Sequence, residues 1–301
     1  MIDLHVHTSC SDGDFTPMEI IELATNSGLK TLSITDHDTI KAYKTDIYTF
    51  AKQRGIFLIP GIEFSTVDLD SGEKIHVIGL NIDTYDNILN SLCDKLQESR
   101  KKALLTAEKM LKSCGIVLRS NNLLESNFII TKSHIARDVI DNPVNQFVLL
   151  DIYGKMPLYG TFIEDFLVKD KPAFMSNSGK LSTHEAIKVI KQAKGKAFCA
   201  HPSFNIMHGS STFQSMKQLI LRNKFDGIET INIQYDKSNG DVRFDMVKEF
   251  TDFAQQNNLL TSGGSDFHSN NRSLLGNYST LGLANENYRV TEHQLAKIIA
   301  T

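Results

Sequence analysis

The sequence has no apolar run of the roughly 18 residues that a membrane-spanning helix needs. Residues 1–7 have neither a basic start nor an apolar core, so we expect no secretory signal. The 4 cysteines lie far apart and form no C-x-x-C pair, which favours free thiols over disulfides or a zinc knuckle. There is no internal repeat and no low-complexity tract. These absences predict a cytoplasmic protein that does not interact with a membrane.

An excess of basic residues is also absent. The chain has 32 Lys and Arg against 35 Asp and Glu, so its net charge of −3 disfavours binding to long nucleic acid. With 41% hydrophobic and 22% charged residues, the composition is typical of globular proteins and excludes disorder or a coiled coil. A chain of 301 residues can form one large α/β domain or a domain with a sizeable insertion. The sequence leaves the oligomeric state open.

Strand-like and helical patterns alternate at both ends of the chain. Residues 2–7 alternate with period two, and Thr16 to Glu19 predicts a capping box that opens a helix. A late helix is predicted from about Asp241 to Gln256. This alternation favours parallel strands with helices outside, in a barrel or a doubly wound sheet. The further predicted strands cover residues 31–35, 56–60, 74–82, 196–200, 226–231 and 259–262.

The middle of the chain has a different pattern. Roughly residues 85–175 are helical and charged, with no clear strand. We therefore predict an α/β body formed by residues 1–85 and 175–301, interrupted by a helical insertion over 86–174 that could cap the substrate.

Histidine and carboxylate residues fall at or near the ends of predicted strands. Because strand ends converge on one rim of a β/α barrel, we expect these side chains to meet. One divalent ion takes about four to six ligands, so nine donors suit two or three ions that share a carboxylate. The nine candidates are His5, His7, Asp12, His37, Glu63, His76, His201, Asp266 and His268.

Each of these motifs alone has an ordinary structural explanation. An alternating strand can carry H-x-H by accident, His37 fits a polar loop, and His201 fits a satisfied position near the core. Chance does not readily account for the whole set, because six imidazoles are costly to bury unpaired. His184, His208 and His293 fall in predicted surface segments, and we assign them no function.

The sequence at these positions resembles the PHP family, the polymerase and histidinol phosphatase metal-dependent phosphoesterases. The resemblance covers roughly residues 1–85 and 185–285. It implies an α/β fold, a distorted (β/α)7 TIM-like barrel with a helical insertion, and a multinuclear metal site. The matching motifs, in the family's order, are D-L-H-V-H-T at 3–8 with S-D-G at 11–13, T-D-H-D at 35–38, A-H-P at 200–202 and S-D-F-H at 265–268.

The resemblance also implies a division of the ligands among three ions, with Glu63 as the bridge. It assigns His5, His7, Glu63 and Asp266 to one ion, Asp12, His37 and His268 to a second, and Glu63, His76 and His201 to a third.

The ligand chemistry favours manganese. Imidazoles and carboxylates without thiolates suit manganese, iron, zinc or, less well, magnesium, and Asp12 adds oxygen character. Paired ions would lower the pKa of a bound water, so we expect attack by metal-bound hydroxide on a phosphate ester. The chain lacks phosphate-loop, G-x-S-x-G and cysteine-nucleophile signatures, which disfavours a covalent intermediate.

The insertion resembles that of the nucleotide-phosphatase branch of the family. The matching segments are S-H-I-A-R at 133–137 and K-P-A-F at 171–174, whereas Met175 to Ser178 replaces a run that often carries a basic residue there. The resemblance implies substrate-binding roles for Asp12, Arg100, Lys101, His134 and Arg137. His134 could instead donate a proton to the leaving group, or merely follow an N-cap at Ser133, and residues 100–102 could form a solvated helix face.

Several functions therefore stay open. The leading hypothesis is a phosphoesterase that acts on a small phosphorylated substrate, most readily a nucleotide such as a nucleoside 3′,5′-bisphosphate. The alternatives are a 5′-3′ exonuclease on short RNA, a histidinol-phosphatase-like activity, a metal amidohydrolase and a non-catalytic binding module.

Overall fold

A computed structural model describes most of the chain. Among these residues, no helix is both long and apolar enough to cross a membrane. The described residues are 1–44, 46–126, 128–168, 170–174, 181–232, 234–236, 242–270, 281–282 and 288–300.

A curled seven-stranded sheet forms the body of the fold, in the order β1-β2-β3-β4-β5-β6-β9. β1 and β9 lie at its ends, and the segment after β9 approaches β1 through two backbone hydrogen bonds. These bonds run from Asp266 N to His5 O at 2.9 Å and from His7 N to Phe267 O at 3.0 Å. The prediction of an α/β distorted barrel is confirmed. The strands are β1 (Ile2–Val6), β2 (Thr31–Ile34), β3 (Phe57–Val67), β4 (Lys74–Leu80), β5 (Lys196–Cys199), β6 (Gly227–Ile231), β7 (Gln234–Asp236), β8 (Val242–Phe244) and β9 (Leu260–Gly263).

The expectation of purely parallel strands is wrong at β4, which runs antiparallel to both β3 and β5. A short turn rather than a helix joins β3 to β4, and Asp68 N donates to Glu73 O across it at 2.8 Å. So short a connection can only join antiparallel strands. β3 also extends to Val67, so Glu63 lies within a strand rather than at its end.

The helices surround the sheet or form the middle of the chain. α1 begins with the predicted capping box between Thr16 and Glu19. The helix predicted from about Asp241 is wrong at its start, because residues 242–244 form β8 and pair antiparallel with β7. The helices are α1 (Pro17–Asn26), α2 (Ile47–Gln53), α3 (Asn87–Ser113), α4 (Ser120–Leu124), α5 (Lys132–Ile140), α6 (Gln146–Tyr153), α7 (Tyr159–Phe162), α8 (Thr183–Gln192), α9 (Pro202–Met207), α10 (Phe213–Asn223), α11 (Val247–Gln256) and α12 (Glu292–Ile299).

The chain divides into two compact units. The first holds the curled sheet, and its described residues fall within 1–93, 181–268 and 281–300. In this unit Leu4 of β1 is buried against apolar residues of other strands, such as Ile78 and Phe198. Strand alternation places Asp3, His5 and His7 on the opposite face of β1 from Leu4.

The second unit is helical and includes residues 94–174. It has its own apolar core, in which Leu104, Leu111, Ile135 and Phe162 are fully buried. A separate core of this kind is what an inserted subdomain requires. The run 175–178, which departs from the family pattern, lies outside the described residues, as does the predicted boundary at 175.

Candidate metal centre

Nine potential ligand side chains lie close together, and one of them, Glu63, is fully buried in β3. One carboxylate oxygen, Oε1, lies 3.0 Å from His76 Nδ1 and 3.2 Å from His201 Nε2. The other, Oε2, lies 2.8 Å from His37 Nδ1 and 3.3 Å from His7 Nε2. A single carboxylate thus contacts imidazoles from several separate segments of the chain.

The nine potential ligands form four overlapping groups, and within each group the ligand atoms lie within 4.8 Å of one another. Four residues each belong to two groups, so the groups share ligands: Glu63, His5, His7 and His37. The groups are His7, Asp12, His37 and His268; His5, His201 and Asp266; His5, His7 and Glu63; and His37, Glu63 and His76.

Strand geometry and loop position explain this convergence. His5 and His7 share one face at the end of β1 because side chains alternate along a strand. On the β3–β4 hairpin, Glu63 lies two residues before Ser65, which pairs with His76, so Glu63 and His76 are diagonal neighbours on one face. The remaining ligands lie in segments that follow strands: Asp12 after β1, His37 after β2, His201 after β5, and Asp266 and His268 after β9.

Two ligands have an uncommon backbone conformation. His201 has φ 25° and Asp266 has φ 52°, in the left-handed region that residues other than glycine rarely adopt. Such conformations cost about 1–3 kcal/mol each and persist where the surrounding structure enforces them, often at functional sites.

The carboxylates and imidazoles of the cluster strongly perturb one another. Burial acts to raise the pKa of Glu63, but the imidazoles of His76, His37 and His5 lower it well below its ordinary value. Burial acts to lower the pKa of His37, but Glu63 and Asp12 raise it to about 9. The carboxylates are therefore ionised and attract positive charge into a buried site, as the carboxylates of a metal centre do.

The donor set fits divalent cations. Among the described residues, the buried atoms Glu63 Oε2 and His37 Nδ1 have no hydrogen-bond partner, although they are 2.8 Å apart. Buried polar atoms that face one another without a hydrogen bond are well suited to share a cation. Imidazole and carboxylate donors without thiolates suit manganese, iron or zinc. The buried His, Glu and Asp clusters thus indicate more than one metal site.

Buried carboxylates outside the nine ligands support the loops that carry them, and the sequence reasoning missed their roles. Asp36 accepts hydrogen bonds from Thr8 N at 2.7 Å and Ser11 Oγ at 2.6 Å, which anchors the loop that leads to Asp12. Asp3 accepts from Ser265 N at 2.9 Å, next to Asp266. In the sequence, Asp3 lies close to the H-x-H motif and Asp36 lies within T-D-H-D, and this position was the signal that could have identified their supporting roles.

Cys10, two residues before the potential ligand Asp12, is not poised as a nucleophile. Burial, and next the negative charge of Asp36, raise the pKa of the Cys10 thiol to about 12. The thiolate is the reactive form of cysteine, and at neutral pH Cys10 is therefore protonated and unreactive.

The three basic residues of the insertion that are predicted to bind substrate make contacts within the helical unit. Arg100 is 9% exposed and donates from Nη1 to Ile130 O at 3.0 Å, whereas Lys101 pairs with the exposed Glu98 at 3.0 Å. The guanidinium carbon of Arg137 lies 5.9 Å from the centre of the Tyr159 ring.

The expected N-cap at Ser133 is wrong, because α5 is capped by Thr131. His134 is the third helical residue, and its Nδ1 completes a capping box by accepting from Thr131 N at 3.1 Å. The ring of His134 also stacks on Phe128 at 4.2 Å. The aromatic ring and the cap thereby fix the orientation of the imidazole.

A glycine allows the loop after β9 to approach β1 closely. A Cβ at Gly264 would lie 2.2 Å from His5 Cβ and 2.4 Å from His5 N. We expect Gly264→Ala to destabilise the fold by about 1–3 kcal/mol, because overpacking forces the backbone to move. Thermal unfolding measures this loss.

Gly160→Ala is the matched control. Gly160 is exposed on α7, and nothing lies within 4 Å of a Cβ built there. Alanine favours a helix relative to glycine, so this variant should melt at or above the wild-type temperature. Equal melting temperatures for the two variants would show that the close approach at His5 is not required.

Comparisons with known proteins agree with this site. The PHP domain family matches residues 3–135. The chain is 28% identical to the 5'-3' exoribonuclease Rnm of Escherichia coli K12 over 270 residues, which cover 88% of this chain and 84% of that protein. It is 27% identical to the 3',5'-nucleoside bisphosphate phosphatase of Chromobacterium violaceum over 271 residues, covering 89% and 87%.

A solved structure has the same fold. A candidate metal-dependent phosphoesterase from Bifidobacterium adolescentis superposes with a TM-score of 0.76 at 21% identity, covering 99% of this chain and 95% of that one. Together with the buried histidine and carboxylate cluster, these similarities lead to one conclusion. Residues 3–135 match the PHP domain, and the chain is a metal-dependent phosphoesterase.

Proposed function

We propose that the enzyme removes the 3′-phosphate from a small nucleotide, and that a nucleoside 3′,5′-bisphosphate is its preferred substrate. The observation that carries this proposal is the cluster around Glu63, whose donor atoms can hold several divalent ions beside one another. Phosphate monoesters are anions that repel hydroxide, and paired cations offset that repulsion. The names of two relatives, a nucleoside bisphosphate phosphatase and an exoribonuclease, point to nucleotide phosphates as the substrate class.

A 5′-3′ exoribonuclease acting on short RNA is the second candidate, because several relatives carry that name. An exonuclease that releases nucleoside 5′-monophosphates breaks the bond between phosphorus and the 3′-oxygen, the same bond that a 3′-phosphatase breaks. The two activities then differ only in what else the phosphorus carries. A monoester carries no second nucleoside, whereas RNA continues from the phosphorus.

The proposed metal ligands are the nine clustered side chains, divided as the family resemblance implies. Bound ions would supply an activated water and neutralise the phosphoryl oxygens. Within the cluster, Glu63 keeps imidazoles of four segments close together, and Asp36 holds the loop that carries Asp12. Asp12 is also proposed to lie beside the bound phosphate.

The insertion is proposed to cap the site and recognise the rest of the nucleotide. Arg100, Lys101 and Arg137 would bind the 5′-phosphate, because guanidinium and ammonium groups pair strongly with phosphate. His134 Nδ1 accepts a hydrogen bond from Thr131 N, so a neutral His134 carries its proton on Nε2. After uptake of a second proton, the imidazolium could give its Nε2 proton to the leaving 3′-oxygen and return to the neutral form; alternatively, Nε2–H of the neutral ring could bind the phosphate.

A matched substrate series tests the proposal. Manganese-loaded protein is given adenosine 3′,5′-bisphosphate, adenosine 3′-monophosphate, histidinol phosphate, and short RNA with and without a 5′-phosphate. Phosphate release and chromatography of the nucleotides report the bond broken. We expect the bisphosphate to have the highest kcat/KM and to yield adenosine 5′-monophosphate and inorganic phosphate.

Other outcomes of the same series select other functions. Faster release of nucleoside monophosphates from 5′-phosphorylated RNA would favour the exoribonuclease. Preference for histidinol phosphate would contradict a nucleotide substrate. Hydrolysis of amide substrates with no phosphate release would contradict the proposal altogether.

A further inference from the structure

One buried carboxylate outside the predicted ligand set contacts two of the ligands. Glu229 lies within β6 and is 2% exposed. One of its oxygens, Oε1, lies 2.9 Å from His5 Nδ1. The other, Oε2, accepts a 2.7 Å hydrogen bond from the backbone N–H of His201. The two oxygens therefore support ligands from two different strand ends, at β1 and β5.

The contact with Glu229 determines which nitrogen of His5 faces the cluster. A carboxylate accepts hydrogen bonds, so the proton of the neutral imidazole lies on Nδ1. The lone pair then lies on Nε2, which is 3.1 Å from His7 Nε2 and 3.5 Å from Glu63 Oε1. The other tautomer would direct an N–H into the group of ligand atoms and remove His5 as a ligand.

The second contact holds an uncommon backbone conformation. His201 has φ 25° and ψ 57°, a combination that residues with a Cβ rarely adopt. The hydrogen bond from its N–H to Glu229 fixes the peptide group at this point. The imidazole is thereby directed so that Nε2 lies 3.2 Å from Glu63 Oε1.

We propose that Glu229 is a positioning residue that prepares His5 and His201 together for metal binding, through the tautomer of one and the backbone of the other. It does not contact the group formed by Asp12, His37 and His268, so its effect should be confined to the ions that His5 and His201 hold. This inference rests on the proposed metal binding of the cluster and is independent of which phosphoester is the substrate.

Glu229→Gln separates the two contacts with almost no change in shape. An amide has one acceptor oxygen, so it can serve His5 Nδ1–H or His201 N–H but not both. Loss of a partner behind a metal ligand typically weakens metal binding by about 10–100-fold. We expect Mn²⁺ binding measured by equilibrium dialysis and elemental analysis to show one or two sites weakened by that factor and at least one site unchanged.

Asp226→Asn provides the matched control. Asp226 directly precedes β6 and accepts from Ala197 N at 2.9 Å, so it also joins the β5 and β6 region, but it contacts none of the nine ligands. This variant should bind Mn²⁺ like the wild type. Equal weakening in both variants, or unchanged binding in Glu229→Gln, would overturn the role of Glu229.

The tautomer of His5 can be measured without any substitution at Glu229. In zinc-loaded, ¹⁵N-labelled wild-type protein we expect a protonated Nδ1 and a metal-bound Nε2 for His5, assigned by comparison with His5→Asn. A protonated Nε2 would overturn the inference even if Glu229→Gln failed to fold. Wild-type protein that binds no metal would instead refute the proposed function.

Discussion

Glu63→Gln should lower kcat/KM by about 10²–10⁴-fold, whereas His76→Ala should lower it by about 10–100-fold. Loss of one supporting contact at a metal site costs about 10–100-fold, and the two factors multiply if Glu63 serves two ions. Glu63 approaches imidazoles with both of its oxygens, whereas His76 Nδ1 contacts one of them. The comparison is made with saturating Mn²⁺, by phosphate release from the best substrate.

Measurement of bound metal together with melting curves distinguishes loss of the bridging carboxylate from loss of the folded structure. Glu63→Gln should retain fewer ions than His76→Ala while its melting curve remains cooperative. Glu185→Gln, an exposed substitution of the same type on α8, should leave both metal content and activity unchanged. Similar and substantial activity in Glu63→Gln and His76→Ala would show that Glu63 does not bridge.

The second large effect concerns the insertion. Arg137→Ala should lower kcat/KM for a nucleoside 3′,5′-bisphosphate by about 10–100-fold and change hydrolysis of an aryl phosphate little. A hydrogen bond to a charged group contributes about 1.5–3 kcal/mol, and an aryl phosphate has no second phosphate to bind. Arg137→Lys should recover only part of the loss, because an ammonium cannot form the bidentate contact.

Further variants distinguish a loss of substrate recognition from a loss of protein stability. Arg100→Ala should have the same substrate-dependent effect, but melting must be measured with it because Arg100 also donates to Ile130 O. Lys109→Ala, exposed on the same helix, should have no effect. Equal losses on both substrates for the arginine variants would indicate that the insertion does not recognise a second phosphate.

His134→Ala distinguishes the two roles proposed for that residue. If Nε2–H donates a proton to the leaving group, hydrolysis of both the bisphosphate and a poorly activated alkyl phosphate should slow. If it only binds the 5′-phosphate, the bisphosphate alone should be affected. The loss of the Thr131 cap adds a stability cost of about 1 kcal/mol, which melting curves will report.

Local patterns were sufficient to predict the parts of the fold that depend on local rules. The capping box at Thr16 and the alternation in β1 depend on neighbouring residues only, and both are present. The antiparallel β4 was missed because strand direction depends on the connection, and the pattern of 74–82 is the same in either direction. β8 was missed because its three residues are too few to show an alternating pattern.

The candidate site was also only partly predictable from the sequence. All nine potential ligands could be named because imidazoles and carboxylates near strand ends are conspicuous in the sequence. Glu229, by contrast, gave only a weak signal, a single charged residue within the short strand of residues 227–231. Its importance depends on two contacts with residues that are distant in the sequence. His5 lies 224 positions away from Glu229, and His201 lies 28 positions away.

Addition of metal to stripped protein tests the central claim most directly. Chelator-treated enzyme is titrated with Mn²⁺ while bound metal and phosphate release from adenosine 3′,5′-bisphosphate are measured on the same samples. Nine convergent donors suit about two or three ions, so activity should be lost on stripping and return as about two to three equivalents bind. Activity that survives complete stripping, or binding of less than one equivalent with no gain in phosphate release, would contradict the account.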